Sequence, residues 1–354
     1  MREALESWRP RIDEEIARLL PRELSADDVS DLFGEPRFAY DADALAAALT
    51  DPVWDLLDRG GKRWRPVLFL VAAEGFGGDP EELLPYATIP EVLHTGTIIV
   101  DDVEDGARLR RGEEAIHHRY GTDVALNAGN ALYFVPLKVV TENPAGLPPE
   151  TRLRAFDMLT HELNRTHLGQ GTDIYWHSGA SLDMTEAEYL EMCACKTGCL
   201  GRIAGRLAAI VTGQDEATER HLANFAESLC IAFQIADDVL DVEHTLDQAG
   251  DFGKAFGNDI HEGKRTLLAI HAADNASDAD AARLRAILSA DDPSDDAVLD
   301  AIDVMRDAGS IEYAKRRARE LAADARDQLD AVEMADEQAE QLAAFTEYVV
   351  DRDA

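Results

Sequence analysis

The chain has 354 residues and a formal net charge of −36, with 70 Asp and Glu residues against 34 Lys and Arg residues. It carries no basic stripe, which excludes nucleic-acid binding, and no apolar run long enough to form a transmembrane segment. The acidic residues are dispersed along the chain, which is typical of a halophilic surface that stays soluble in high salt. No signal peptide is visible, so we expect a cytoplasmic protein.

Helical patterns rich in Ala and Leu run through almost the whole chain, from a charged N-terminal amphipathic helix to another at 311–329. The candidate breaks between helices are short, at 75–80, 143–149 and 276–280. No stretch has the composition of a linker between two folds. The sequence therefore predicts an all-α protein with one domain over residues 1–354.

The first motif that could carry chemistry is Gly60–Pro66, GGKRWRP, which precedes an apolar helix. Paired glycines let the backbone approach an anion, and Lys and Arg supply positive charge. The chain has only 6 lysines, and 4 of them, including Lys62, lie in glycine-containing motifs. A lysine kept in such a place is suited to binding phosphate. The alternative is a basic helix start that follows a loop.

A five-residue acidic pattern, Asp-Asp-x-x-Asp, occurs twice, as Asp101, Asp102 and Asp105 and again as Asp237, Asp238 and Asp241. Each copy follows an apolar stretch that is typical of buried helix, where residues four apart share one face. Paired carboxylates there are costly unless a cation neutralises them, and Mg²⁺ is usual where a substrate brings phosphates. Two such helices facing each other would hold Mg²⁺ and a diphosphate. The alternative is a solvated, salt-bridged helix face.

Basic and polar residues accompany the acidic motifs in a fixed order. They are Arg110, Arg111, Lys196, Thr197, Gln234, Lys254 and Lys264. An Arg pair after the first acidic motif indicates metal and phosphate held side by side. Two lysines in a glycine-rich loop after the second motif would close over a phosphate.

Three of the four cysteines cluster in 193–199, which raises the question of a metal site. Zinc sites usually pair their ligands as Cys-x-x-Cys with a second pair elsewhere, and neither feature is present. We therefore expect small, buried and reduced helix residues.

In this combination and order, the motifs resemble those of the trans-isoprenyl diphosphate synthases, also called polyprenyl synthetases, over about residues 55–270. Gly60–Pro66 looks like the family's GGKRLRP, with Trp64 in place of the usual Leu. Further matches lie at 91–112, 169–173, 196–197, 233–241 and 253–266. The resemblance implies antiparallel helices around a deep central cavity, usually in a homodimer.

The resemblance also implies roles for the motif residues. About three Mg²⁺ ions per active site would bridge the allylic diphosphate to the six aspartates. Asp238 would act either as a direct metal ligand or through another ligand. The same diphosphate would be bound by Arg110, Lys196 and Lys254, and Lys264 would close a lid. The diphosphate of isopentenyl diphosphate would be bound by Lys62, Arg65, His94 and Arg111. Lys196, Thr197 and Gln234 would be the catalytic residues, with the last two near the reacting carbons.

The implied reaction is a head-to-tail condensation in which an ionised allylic diphosphate is attacked by isopentenyl diphosphate. In such enzymes the growing chain occupies space beneath the first acidic motif, at Leu93, Gly96 and Thr97. Gly96 and Thr97 are expected to leave space, so we predict geranylgeranyl diphosphate or a longer polyprenyl product. The alternatives are a class I terpene cyclase and a non-catalytic subunit of a heteromeric prenyl synthase.

Overall fold

The computed structural model describes residues 2–179, 182–247, 257–290 and 292–350. Lys254, a predicted diphosphate ligand, lies outside the described residues. Within them the first ten helices are α1 Arg2–Leu19, α2 Ala26–Phe33, α3 Ala42–Leu45, α4 Asp51–Asp58, α5 Trp64–Gly75, α6 Pro80–Glu104, α7 Ile116–Tyr120, α8 Thr122–Ala131, α9 Leu137–Glu142 and α10 Pro149–His177. The other nine are α11 Glu186–Cys193, α12 Cys199–Val211, α13 Glu216–Asp247, α14 Asn258–His261, α15 Leu267–Asn275, α16 Asp278–Leu288, α17 Asp295–Asp307, α18 Ser310–Asp330 and α19 Asp336–Val350.

The all-α prediction is confirmed. The described strands, β1 Leu109–Arg110 and β2 Glu113–Glu114, form one short antiparallel hairpin. Two π-helical segments, Ala46–Thr50 and Ala194–Gly198, interrupt the α-helical geometry. The predicted breaks mark the ends of α5, α9 and α15, although the third, 276–280, extends into the first turn of α16. No helix in the described ranges combines the length and apolarity that crossing a membrane requires.

The chain divides into two compact units. The first comprises residues 1–160, 203–219 and 334–339. Its centre is α5, in which every residue from Trp64 to Ala73 is buried, as expected for a helix that is apolar on all sides. α6 packs against α5 and α8. It begins after Asp79, whose carboxylate accepts the Glu81 N–H at 2.9 Å, a typical N-cap.

The second unit comprises residues 161–202, 220–333 and 340–354. α15 packs against α16 and α18 in this unit. The predicted amphipathic helix at 311–329 is confirmed as α18, which buries a stripe that includes Ala314, Ala318 and Leu321. All four cysteines are free thiols and buried, as predicted. Burial raises the pKa of Cys199 to about 12, so this thiol stays protonated.

Candidate active site

The loop before α5 has backbone conformations that few residues adopt. Gly60 and Gly61 have φ of 103° and 141°, which only glycine takes freely. A Cβ on Gly61 would also collide with the Arg63 guanidinium. Arg63 itself is left-handed, with φ of 53°, a strained state for a side chain of this size. Such strain persists only where surrounding contacts enforce it.

A cluster of cations surrounds this loop in the first unit. Burial lowers the pKa of His94 well below its usual range, and the positive charges of Arg65, Arg111, Arg110 and Arg63 lower it further. His94 is therefore a neutral imidazole amid four guanidinium groups. Two buried nitrogens of the cluster, Arg65 Nε and His94 Nδ1, have no hydrogen-bond partner among the residues that the structure describes. An anion bound here would satisfy groups that are otherwise costly to bury.

The first acidic motif lies at the end of α6, where its members have different surroundings. The Asp105 N–H donates to the Asp101 carbonyl at 2.8 Å, so these two residues keep helical spacing on one face. Both are half-buried. Asp102 is fully buried, and its carboxylate accepts the Arg110 Nε–H at 2.8 Å. Burial raises the pKa of Asp102, and the Arg110 charge opposes that rise.

The β1–β2 hairpin brings Arg110 and Arg111 back to α6. The buried Arg59 donates to the Arg110 and Glu114 carbonyls at 3.1 and 2.7 Å, which fixes the hairpin. Arg111 donates to the carbonyls of Leu56, at 3.1 Å, and Gly60. One nitrogen of its guanidinium thus supports the glycine loop, and the others remain as donors.

The second acidic motif, on α13, likewise contains one buried aspartate that is held by hydrogen bonds. Asp238 is buried and accepts hydrogen bonds from the Tyr189 hydroxyl at 3.1 Å and from Gln234 Nε2 at 2.9 Å. Burial and the nearby Asp259 charge raise the pKa of Asp238 well above its usual range. Asp238 therefore fixes the Gln234 amide. Its partner Tyr189 was not predicted, because nothing in the local sequence pairs residues 49 positions apart.

Acidic and basic groups crowd the end of the second motif. Burial, with the Asp259 charge, raises the pKa of Asp241 to about 7. The Asp259 N–H lies 3.4 Å from Asp241 Oδ2. Lys264, the predicted lid residue, pairs with Glu262 at 2.6 Å and with Asp259 at 3.4 Å. Asp259 was missed as a site residue, although its place beside the predicted lysine loop was a usable signal.

Lys196 and Thr197 lie in the π-helical segment Ala194–Gly198, a geometry often found at functional sites. Lys196 Nζ pairs with the buried Asp173 carboxylate. Burial opposes the ionisation of Asp173, but hydrogen bonds from His177 and Lys196 outweigh it and lower the pKa of Asp173 well below its usual range. Asp173 was noted within the 169–173 match but not assigned as a site residue.

The expectation that Gly96 leaves open space is wrong. A Cβ on Gly96 would lie 2.8 Å from the Gly129 carbonyl oxygen and 2.8 Å from Leu132 Cβ. Gly96 and Gly129 instead allow α6 and α8 to approach closely. Leu93 is fully buried, whereas Thr97 is half-buried. By helical spacing Thr97 shares its face of α6 with Asp101, so it is the position of the three that adjoins the motif face.

In the described part of the chain, no three His, Cys, Asp or Glu side chains form a ready-made metal site. Mg²⁺ is usually bound by one or two carboxylates together with substrate phosphates rather than by an all-protein cage. Asp101 and Asp105 offer such a pair on one helix face. A bound cation would relieve the crowding of the partly buried Asp241 by the Asp259 charge.

Comparison with known proteins defines the class. The family model described as polyprenyl synthetase matches residues 46–305, so the chain belongs to the polyprenyl synthetase family. Members are Mg²⁺-dependent and use isopentenyl and allylic diphosphates. The predicted enzyme class, a trans-prenyltransferase, is confirmed.

Individual relatives carry names of the same enzyme class. The chain is 34% identical over 291 residues to geranylfarnesyl diphosphate synthase of Natronomonas pharaonis, covering 78% of this chain and 82% of the relative. It is 31% identical over 284 residues to geranylgeranyl diphosphate synthase of Sulfolobus acidocaldarius, covering 80% and 84%. The crystal structure of geranylgeranyl pyrophosphate synthetase from Pyrococcus horikoshii matches with a TM-score of 0.79 and 28% identity, covering 98% of this chain and 99% of that one. The predicted isoprenoid-synthase fold is thereby confirmed.

Proposed function

We propose that this enzyme condenses isopentenyl diphosphate head-to-tail with an allylic diphosphate, giving geranylgeranyl diphosphate or a longer polyprenyl diphosphate. The observation that supports this function most directly is the cation cluster beside the glycine loop. Four guanidinium groups around a neutral His94, with two buried nitrogens that no described residue hydrogen-bonds, are suited to a compact polyanion such as a diphosphate. The names of the relatives from Natronomonas pharaonis and Sulfolobus acidocaldarius support a product in this size range.

We assign the diphosphate of isopentenyl diphosphate to the first unit's cluster. Its ligands would be Lys62, Arg65, His94 and Arg111. Lys62 is exposed and able to meet an entering substrate, whereas Arg65 is buried and fixed over the Trp64 ring at 4.5 Å. Because His94 is neutral, it donates one hydrogen bond to an oxygen without adding charge to the cluster.

For the allylic diphosphate, we propose four metal ligands instead of the six aspartates predicted from the sequence. About three Mg²⁺ ions would be held by Asp101, Asp105, Asp237 and Asp241, with substrate oxygens completing their shells. Asp102 would orient Arg110 toward the diphosphate, and Asp238 would orient Gln234. Lys196 would bind the diphosphate, as would Lys254. That both acidic motifs act on the same diphosphate stays a prediction.

The residues then have distinct tasks in the reaction. Bound Mg²⁺ supplies Lewis-acid stabilisation of the departing diphosphate. Arg110 and Lys196 add fixed positive charge to the same oxygens. Since Gln234 Nε2 is held by Asp238, its carbonyl oxygen is the free end of the amide dipole, which with Thr197 stabilises an allylic cation. The released diphosphate accepts the proton, so no protein base is assigned.

The experiment that tests this function is incorporation of labelled isopentenyl diphosphate by the purified chain in high salt with Mg²⁺ and farnesyl diphosphate. Extension of farnesyl diphosphate supports the proposal. Hydrocarbon release without isopentenyl diphosphate would indicate a terpene cyclase instead. Product formation only after addition of a partner protein would indicate a subunit of a heteromeric synthase.

Magnesium is expected to stabilise the fold in a pH-dependent way. The folded-state pKa of Asp241, about 7, exceeds the ordinary value of 3.8, so the metal-free fold loses stability as pH rises between these values. Mg²⁺ offsets this loss where Asp241 is ionised. We expect saturating Mg²⁺ to raise Tm by roughly 5 °C at pH 8 and by about half of that at pH 5.5. Calorimetry measures both values, and Asp241→Asn should remove most of the difference.

Product length is expected to depend on Thr97. Thr97→Phe would place an aromatic ring on the Asp101 face of α6 and shorten the product to farnesyl diphosphate, measured by chromatography of dephosphorylated products. Gly96→Phe is the contrasting variant, because its ring meets α8 and lowers Tm rather than selecting a shorter chain. An unchanged product from Thr97→Phe would contradict this placement.

We also propose a homodimer. Four large apolar side chains are exposed on one side of α10, namely Leu153, Phe156, Leu168 and Tyr175. Leu153 and Phe156 lie one turn apart, and Leu168 and Tyr175 lie two turns apart; exposed apolar side chains of this size are typical of a face covered by a partner. Sedimentation should give twice the chain mass, and Leu168→Glu should shift the protein towards a monomer. The four free thiols support a cytoplasmic location, where thiols stay reduced.

A further inference from the structure

The Arg63 side chain joins three segments that are far apart in the sequence. Its Nε donates to Asp13 Oδ1 on α1 at 2.7 Å, and its Nη1 donates to Glu91 Oε1 on α6 at 3.0 Å. Its Nη2 donates to the Leu57 carbonyl, near the end of α4, at 3.2 Å. The guanidinium is almost completely buried, with 2% exposure, and Glu91 is buried with it.

These contacts act on a strained backbone. Arg63 has a left-handed conformation that costs free energy in any residue with a Cβ. Lys62 precedes it and Arg65 follows two positions later, so the direction of both cations depends on the backbone at Arg63. A buried guanidinium with carboxylate partners on two helices is enough to hold that conformation.

The network also balances charge. Glu91 raises the pKa of Arg63 and favours the ionised form of Arg111, against the repulsion between the guanidinium groups. Without an anion bound, Glu91 and Asp13 are the carboxylates that keep Arg63 neutralised in the cluster. The anion-binding loop is thus preassembled before substrate arrives, which lowers the ordering cost of binding.

We propose that Asp13 and Glu91 are positioning residues for isopentenyl diphosphate, acting through Arg63 to fix the direction of Lys62 and Arg65. The inference rests on the proposed function of the cation cluster. It makes the N-terminal helix α1 a functional support of the site, although neither carboxylate need contact the substrate.

Asp13→Ala is the direct test, since Asp13 is one-third exposed and Ala favours helix, so the variant should fold. We expect KM for isopentenyl diphosphate to rise about tenfold, the effect of losing one hydrogen bond to a charged group. KM for the allylic diphosphate should stay within about twofold. Asp13→Asn, which keeps an acceptor oxygen, should recover most of the loss. Glu91→Gln should raise the same KM, because Glu91 is buried and its loss of charge leaves a buried guanidinium less neutralised than at the partly exposed Asp13.

Glu81→Ala is the matched control. Glu81 pairs with Arg11, and this pair also connects α1 to α6, but both side chains are exposed and Glu81 lies almost three turns of α6 before Glu91. Its removal should leave both KM values unchanged. If Glu81→Ala raises KM for isopentenyl diphosphate as much as Asp13→Ala does, α1 acts only through general stability and the inference is overturned.

A double-mutant cycle tests the route through Arg63. Arg63→Gly relieves the left-handed strain and removes the side chain, and adding Asp13→Ala should then change nothing further. Additive effects, or an equal rise in both KM values, would overturn the inference. A wild-type enzyme that fails to use isopentenyl diphosphate would instead overturn the proposed function, so the two failures are distinguishable.

Discussion

Replacing Asp101 by Asn is expected to lower kcat about a thousandfold, because the amide removes charge from the carboxylate pair that would hold Mg²⁺ beside the departing diphosphate. The pair with Asp105 is set by one turn of α6, and Asn preserves the shape of that turn. Tm without Mg²⁺ should therefore change little. Steady-state kinetics with farnesyl and isopentenyl diphosphates at saturating Mg²⁺ measures the loss.

Glu104→Gln is the matched control for this variant. Glu104 is an exposed acidic residue of the same helix, three positions along from Asp101, and is not one of the three aspartates of the motif. It should keep kcat within about twofold. A kcat for Asp101→Asn that is close to wild type, or equal losses in both variants, would contradict the assignment of Asp101 to the metal.

Gly169→Ala is expected to damage both the fold and the activity, because α10 touches the π-helical segment at this glycine. An added Cβ would lie 2.7 Å from the carbonyl carbon of Cys195 and from Lys196 Cα, and closer still to the Lys196 nitrogen. The backbone carrying Lys196 and Thr197 must then move. We expect a loss of about 1–3 kcal/mol in the free energy of unfolding and about a hundredfold loss in kcat/KM.

Gly171→Ala provides a control one half-turn away on the same helix. A Cβ there meets no atom within 4 Å, so the substitution should stabilise the fold by up to about 1 kcal/mol and leave kcat/KM unchanged. Denaturant unfolding gives the free energies. If both alanine variants behave alike, the close approach at Gly169 does not position Lys196.

The sequence allowed prediction of features that depend on local pattern. Apolar periodicity predicted the buried α5 and the amphipathic α18, and Gly and Pro predicted the breaks after α5 and after α9. Motif spacing placed both acidic motifs on helices. These features follow from residues close in the chain, so one sequence carries enough information to infer them.

The different surroundings of the aspartates within each acidic motif could not be predicted in this way. Asp101 and Asp102 are identical in type, but Asp102 is buried and the hairpin returns Arg110 to its carboxylate. Asp238 differs from its neighbours because Tyr189, on another helix, donates to it. Both distinctions arise from tertiary contacts that leave no periodic signal.

The packing role of Gly96 and the backbone conformation of Arg63 were also not predicted from the sequence. At Gly96 the missing side chain was interpreted as open space, but it accommodates the Gly129 backbone of a neighbouring helix. The left-handed Arg63 was likewise unpredictable, because its side chain binds Asp13 and Glu91, which are 50 and 28 positions away. The structural role of a glycine or of a strained residue depends on the residues that surround it in space.

The central claim is that the chain alone elongates an allylic diphosphate in a Mg²⁺-dependent reaction. Mass spectrometry of products from purified protein, farnesyl diphosphate, isopentenyl diphosphate and Mg²⁺ tests it most directly. We predict geranylgeranyl diphosphate, or a longer polyprenyl diphosphate, and its loss when the metal is chelated. Recovery of farnesyl diphosphate unchanged, with intact folded protein and Mg²⁺ present, would contradict the claim.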